Sequence, residues 1–300
     1  VQADISAGLQ DLLTRLTGSP LLGQLLAQNG PPGTPARDLT DTQARAIAVL
    51  AHQQGLIALN PPPVVDAAGT ITTPAPNAVV SIGSTVDGVV FKSVQFGDKN
   101  FAPNHPRFPY NPVAGDLVAL DVRHLVGIIR LAGHLNRAFG VTEAHHAGIS
   151  GARDPQGDCH RQGRAWDFVG VKGTFNGAAY HLTVLNDWAV KSVPNLAHPD
   201  KRRLPDWPPG TRPLEYRLAS DPSADSFART FFQDLYTFVS AEFQDRTAGP
   251  GQTVPASTIG GDTHVMTPDH PTSAPGTKNG REAHRGHIHF QIGPTGTQRP

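Results

Sequence analysis

The chain reads as an α+β protein, an antiparallel sheet with flanking helices, preceded by a small N-terminal helical segment. Three observations predict this. Two long stretches, 121–138 and 226–243, carry apolar residues at helical spacing. Shorter stretches, 78–91, 141–149 and 287–292, read as strands from their alternation or apolar content. Long loops rich in Gly and Pro, which number 31 and 28 in the 300 residues, separate them.

Composition narrows the function classes. A hydrophobic content of 38% is somewhat low but that of a folded protein, and the length allows one large domain or two ordinary ones. Lys plus Arg (25) equals Asp plus Glu (25), so no basic field argues for nucleic acid and no acidic tail for a solvating arm. The one cysteine, Cys159, excludes an internal disulfide and a cysteine-based zinc site, and leaves the compartment open. No apolar run reaches the length of a membrane span, and no signal peptide is visible after Val1.

Residues 1–60 read as helical. Ile5, Leu9, Leu12, Leu13 and Leu16 recur at helical spacing, and Ser19-Pro20 opens a short Leu-rich helix ending near Gly30. Thr40 to Gln43 is a capping box; its helix turns Ala44, Ile47, Ala48 and Ala51 inward and stops at Gly55. Prolines 61–63, 74 and 76 make 61–79 a linker, and 80–296 form the main domain. Within it, Pro103–Pro112 is a loop. The 121–138 helix shows a stripe of Leu125, Ile128, Ile129, Ala132, Leu135 and Phe139, closed by Gly140. Residues 141–149 form a strand on which His145 and His146 point opposite ways; hydrogen-bonded structural histidines are the plainer reading of both. Asp167 to Val171 is a strand, 182–189 strand or helix, and Pro194–Pro213 a long loop. Phe227, Phe231, Leu235, Phe238 and Val239 share the core face of the 226–243 helix. Residues 247–281 are loop-like, with a short apolar stretch near Met266.

The chemistry concentrates in two stretches. His160 and Asp167 are two candidate metal ligands joined by a tight connection, in which Gly163 permits a sharp turn. A catalytic zinc takes three protein ligands plus water, so a third must come from elsewhere. The run His284-Arg-Gly-His287-Ile-His289 offers it, since His287 and His289 alternate on a β period and can share a cleft.

His160-x-x-Gly163-x-Ala165-x-Asp167 resembles the His-x-x-Gly-x-Ala-x-Asp signature of the LAS metallopeptidases. These include D-alanyl-D-alanine carboxypeptidases and dipeptidases, hedgehog domains and penicillin-insensitive murein endopeptidases. The His-x-x-His-x-His run is most similar to the murein endopeptidase branch. The resemblance implies a single zinc ion held by His160, Asp167 and His289, with His287 as proton-transferring base. His284 then binds substrate or orients His287, with Glu282 a second candidate base. Arg153, in a Ser-Gly-x-Arg turn, is implied to contact substrate or the developing oxyanion; the alternative is a loop arginine paired to Asp154 or Asp158. Asp158 stands where the family usually has Ser. The small helical module of 1–60 followed by Val65 to Thr70 resembles a peptidoglycan-binding repeat; a helical packing or docking segment is the plainer reading.

The expected function is therefore zinc-dependent hydrolysis of amide bonds in peptidoglycan stem peptides or cross-links, outside the cell, in the periplasm or after delivery to a cell wall. The rivals are a D,D-carboxypeptidase or dipeptidase and, from another class, a non-hydrolytic hedgehog-like zinc module or a structural cargo protein. Expected partners are peptidoglycan peptides and a docking partner for the N-terminal helices, with neither nucleic acid nor a transmembrane segment.

Overall fold

A computed structural model of the chain describes residues 34–65, 71–72, 79–94, 110–149, 159–188, 190–194, 211–216, 226–243, 265–267 and 286–292. The fold is mixed α+β. Helix α1, Asp41–Gln53, opens on the expected capping box: Thr40 Oγ1 accepts from the Gln43 N–H and Gln43 Oε1 from the Thr40 N–H. Ala44, Ala48 and Ala51 are buried and Ile47 partly so. The two helices expected over residues 5–30 lie outside the described residues, as does the Asp66 to Thr70 part of the repeat-like stretch. Within 61–79, Val64–Val65 pairs with Ile71–Thr72.

Next comes a small sheet in which Val80–Ile82 pairs with Leu59–Asn60 and Leu117–Leu120. Strand β1, Val89–Ser93, follows a hairpin with Thr85–Val86. Helix α2, Val122–Phe139, is capped by Asp121, whose carboxylate accepts from the Arg123 N–H, and ends at Gly140 with φ +62. Its expected stripe is buried, and so are Val122, Val126 and Leu131 on its other sides. It packs against α1 as well as the sheet, which accounts for burial beyond one stripe.

Strand β2, Val141–Gly148, leads toward β3, Ala165–Phe175, which pairs with it antiparallel. A tight Asn176-Gly177 turn, both residues at positive φ, returns β3 into β4, Ala178–Thr183. Helix α3, Ser226–Phe243, packs on α2 and on the last two strands, β5 (Val265–Met266) and β6 (Ile288–Gln291). The main sheet runs β5-β6-β3-β2-β1, with β6 on the first half of β3 and β4 on its second half.

Two expectations need correction. The sheet is not purely antiparallel, because β1 and β2 pair in parallel. The chain leaves β1 and returns into β2 through α2, the kind of helical crossover that a parallel pair requires. The ends of the expected 194–213 loop are also paired, Val190–Pro194 with Thr211–Tyr216. A two-stranded ribbon consists of edges, where proline's missing N–H is tolerated. Residues 182–189 divide between the end of β4 and a short helix, Val184–Asp187.

One hydrophobic core joins the helices to the inner face of the sheet, from Ala36 to Ile292. Trp166 is its hub, with Phe91 and Phe290 at ring-centroid distances of 5.2 and 4.8 Å; Phe290 in turn meets Phe243 of α3 at 4.9 Å. Burying aromatic side chains here contributes roughly 1.5–3 kcal/mol each. Alternation along β3 and β6 then sends the intervening side chains to the outer face. Among the described residues no helix is long and apolar enough to cross a membrane.

Candidate metal centre

The centre is built by a turn and two strands. In the turn, the Gly163 N–H donates to the His160 carbonyl (2.9 Å) and the Arg164 N–H to that of Cys159 (2.8 Å). Gly163 has φ +69, and a Cβ there would lie 2.0 Å from the Ala119 carbonyl oxygen. Only glycine allows the turn this close to the start of α2. The Gly163 carbonyl accepts from the Asp121 N–H (2.9 Å) and from His124 Nδ1–H (2.8 Å), which ties the turn to α2. Buried Cys159 lies in the same turn.

From this turn β3 begins, with Trp166 and Phe168 in the core and Asp167 outward. Strand β6 places Ile288 and Phe290 in the core, leaving His289 directly opposite Asp167 in register. The expected ligands thus meet although 122 residues separate Asp167 from His289. His289 Nδ1 lies 2.8 Å from Asp167 Oδ1, and His160 Nε2 lies 3.4 Å from the same oxygen. The His160 and His289 rings stand edge to face at 5.0 Å.

One ligand atom from each of His160, Asp167 and His289 lies within 4.8 Å of the others, so the cluster can hold a metal ion. Tetrahedral bonds of about 2.1 Å put ligand atoms about 3.4 Å apart, close to the separations here. Two imidazoles and a carboxylate on structured backbone therefore fit such an ion.

His287 approaches the same oxygen, Nε2 to Oδ1 at 3.6 Å, and is buried beside the three. Burial opposes ionisation of Asp167. The neighbouring His287 charge and the hydrogen bonds from His160 and His289 outweigh it and hold the carboxyl well below its usual range. Arg153, His284, Glu282 and Asp158 lie outside the described residues.

Two participants were not anticipated. Gln291 follows His289 by two residues, so alternation already placed it on the site's face; its Oε1 accepts from His289 Nε2–H at 2.8 Å. His124 stands 36 positions before His160 and carries no motif; only the fold brings it to Gly163. Its imidazole is fully buried, and burial lowers its pKa to about 4, so it is neutral. His145 and His146 are both buried, and burial lowers each to about 4. His145 belongs to a hydrogen-bonded network with Tyr110 and Glu143, as the plainer reading of the strand anticipated.

Comparison with protein-family models, with curated proteins and with solved structures finds no match to this chain.

Proposed function

We propose that the chain is a zinc-dependent peptidase that hydrolyses amide bonds in peptidoglycan stem peptides or cross-links. The observation that carries this reading is the convergence of His160, Asp167 and His289, with His287 against the same carboxylate. The choice of peptidoglycan rests on the motif resemblance.

Zinc held by two imidazoles and a carboxylate keeps a position open for water, lowers the pKa of that water toward neutrality and polarises a carbonyl. The rest falls to the chain's own groups. Asp167 stays ionised and offsets part of the cation's charge. In this reading His287, whose Nε2 lies 3.6 Å from Asp167 Oδ1, would be neutral beside a bound cation and would accept a proton from the attacking water and pass it to the leaving amine. Arg153 and His284 complete the proposal by contacting substrate. The proposed place of action is the cell wall, reached by secretion, residence in the periplasm or delivery.

The test is digestion of purified peptidoglycan by the zinc-loaded protein, with product masses recorded. New amide ends in cross-linked muropeptides are expected. Cleavage of cross-linked muropeptides but not free pentapeptides selects an endopeptidase, and the reverse a carboxypeptidase. Intact cross-linked and free stem peptides from several peptidoglycan chemotypes would overturn the hydrolase reading in favour of a zinc module.

A further inference from the structure

We infer that Gln291 is a positioning residue that holds the proton on His289 Nε2 and so presents Nδ1 as the metal-binding atom. The inference rests on the metal-centre reading above and adds to it a ligand atom and the residue that selects it.

His289 has two ring nitrogens, and only one can bind the ion. Nδ1 faces Asp167 Oδ1 at 2.8 Å, within the ligand cluster. Nε2 faces Gln291 Oε1, also at 2.8 Å. An amide oxygen only accepts, so this contact requires the proton on Nε2. Asp167 Oδ1 is likewise only an acceptor, so Nδ1 donates to it until an ion takes that proton's place; the neutral imidazole then keeps the proton that Gln291 holds on Nε2 and offers its Nδ1 lone pair to the ion. Gln291 therefore fixes the tautomer that can ligate.

The placement of Gln291 argues against a packing role. It is 1% exposed, and an amide buried without a hydrogen bond is costly. Along β6, Ile288 and Phe290 supply the core, while His289 and Gln291 share the opposite face. Gln291 lies opposite Ala165 in register, and the next backbone bond, Ile292 N–H to the Arg164 carbonyl (2.9 Å), anchors β6 to the His160 turn. The acceptor is thus held on the same framework as the ligands. Such supports typically govern roughly 10- to 100-fold in metal affinity.

The experiment uses the full chain with histidine labelled in 15N. In the zinc-loaded protein, long-range 1H–15N correlation spectra are expected to show His289 protonated at Nε2 and metal-bound through Nδ1. Its signals are identified by their absence from His289→Gln. Zinc affinity is then measured by competition with a chromophoric chelator. Gln291→Leu, which removes the acceptor, is expected to bind zinc roughly 10- to 100-fold more weakly. Gln291→Glu keeps an acceptor and is expected to restore affinity to within a few-fold of wild type. A purely structural role predicts the opposite order, because an added carboxylate disturbs a buried position at least as much as leucine does. Zinc bound through Nε2, leucine binding as wild type does, or glutamate falling as far as leucine would each overturn the inference. Wild-type protein that takes up no zinc would instead remove the metal-centre reading, and this inference with it.

Discussion

At its start, β3 holds Asp167 among the imidazoles of His160, His287 and His289; near its far end, Lys172 lies in register between Glu143 of β2 and His181 of β4. Both groups lie on the sheet face away from the helices, and both are rich in histidine and carboxylate. At the far end Tyr110, His145, Glu143, Lys92 and Lys172 each meet a complement. The Tyr110 hydroxyl donates to His145 Nδ1, and His145 Nε2–H donates to Glu143 Oε2 at 3.2 Å. Lys92 Nζ pairs with Glu143 at 2.7 Å and Lys172 Nζ with it at 3.8 Å. At the near end three imidazole nitrogens crowd a single oxygen, Asp167 Oδ1, at 2.8, 3.4 and 3.6 Å. The difference teaches that residue type does not make a site. Imidazole nitrogens and a carboxylate oxygen that converge on one point can hold a cation, whereas alternating donors and acceptors satisfy one another.

The strongest way to break this comparison is to exchange the fates of the two ends. Asp167→Ala and His289→Ala are predicted to abolish both stoichiometric zinc and any hydrolysis, while His145→Ala keeps the metal. Metal analysis of the purified variants checks this. Zinc retained without Asp167, or lost without His145, would reverse the roles assigned here.

The next effect separates two histidines within the near end. His287→Ala is predicted to keep zinc and lose roughly 10²–10⁴-fold in rate, the usual worth of a general acid–base group. Zinc content and turnover of cross-linked muropeptides, measured on the same sample, test it; loss of zinc would make His287 a ligand.

The near end also depends on its backbone. Gly163→Ala puts a methyl 2.0 Å from the Ala119 carbonyl oxygen at φ +69. We predict a destabilisation of roughly 2–4 kcal/mol with weakened zinc binding. Urea unfolding of the metal-free variant measures it, and a loss below about 1 kcal/mol would show that the turn relaxes.

Much of this organisation was legible in the sequence, because the signals are local. Thr40 and Gln43 form a reciprocal cap, and Asp121 and Gly140 close α2. The alternation of His287, Ile288, His289 and Phe290 separates the histidines that face Asp167 from the core. What escaped depended on partners remote in the chain. The parallel pairing of β1 with β2 is decided by the path of α2. His124 matters only because α2 starts beside the His160 turn. Tyr110 sits at the end of a stretch read as a proline-rich loop, with nothing nearby to announce His145 as its partner. Two misses were avoidable: Asn176-Gly177 is a strong hairpin signal, and Gln291 lies on the ligand face by simple alternation.

The two ends also differ in their response to acid. Burial lowers the His145 pKa from 6.5 to about 4, so the folded protein holds it neutral where the unfolded chain is protonated. Between pH 6.5 and about 4 the unfolded state therefore binds more protons, and stability falls as pH falls. This histidine contributes a slope of at most about 1.4 kcal/mol per pH unit. Urea unfolding of metal-free wild type and His145→Gln from pH 7 to 4.5 is expected to give a shallower slope in the variant. Equal slopes would mean that His145 is exposed to protonation in the fold.

The smallest predicted effect is the sharpest test of the far end as structure alone. Glu143 joins Lys92, Lys172 and His145, and burial, which opposes its charge, is outweighed by Lys92 and His145, so its pKa is lowered. The Lys92 and Glu143 side chains are each about a quarter exposed, so solvent weakens their attraction. Glu143→Gln preserves shape and an acceptor for His145 Nε2–H while removing the charge. Partly exposed pairs contribute about 0–1 kcal/mol, so unfolding free energy at pH 7 should drop by no more than about 1 kcal/mol. Zinc affinity should change less than threefold, because register places Glu143 five positions along β3 from Asp167, a separation of roughly 15 Å. At that distance screening by ordinary salt removes most of a charge's influence. A loss of zinc affinity or hydrolysis beyond tenfold, with the fold intact by urea unfolding, would show that the far cluster reaches the metal centre. The two ends of β3 would then have to be treated as one site.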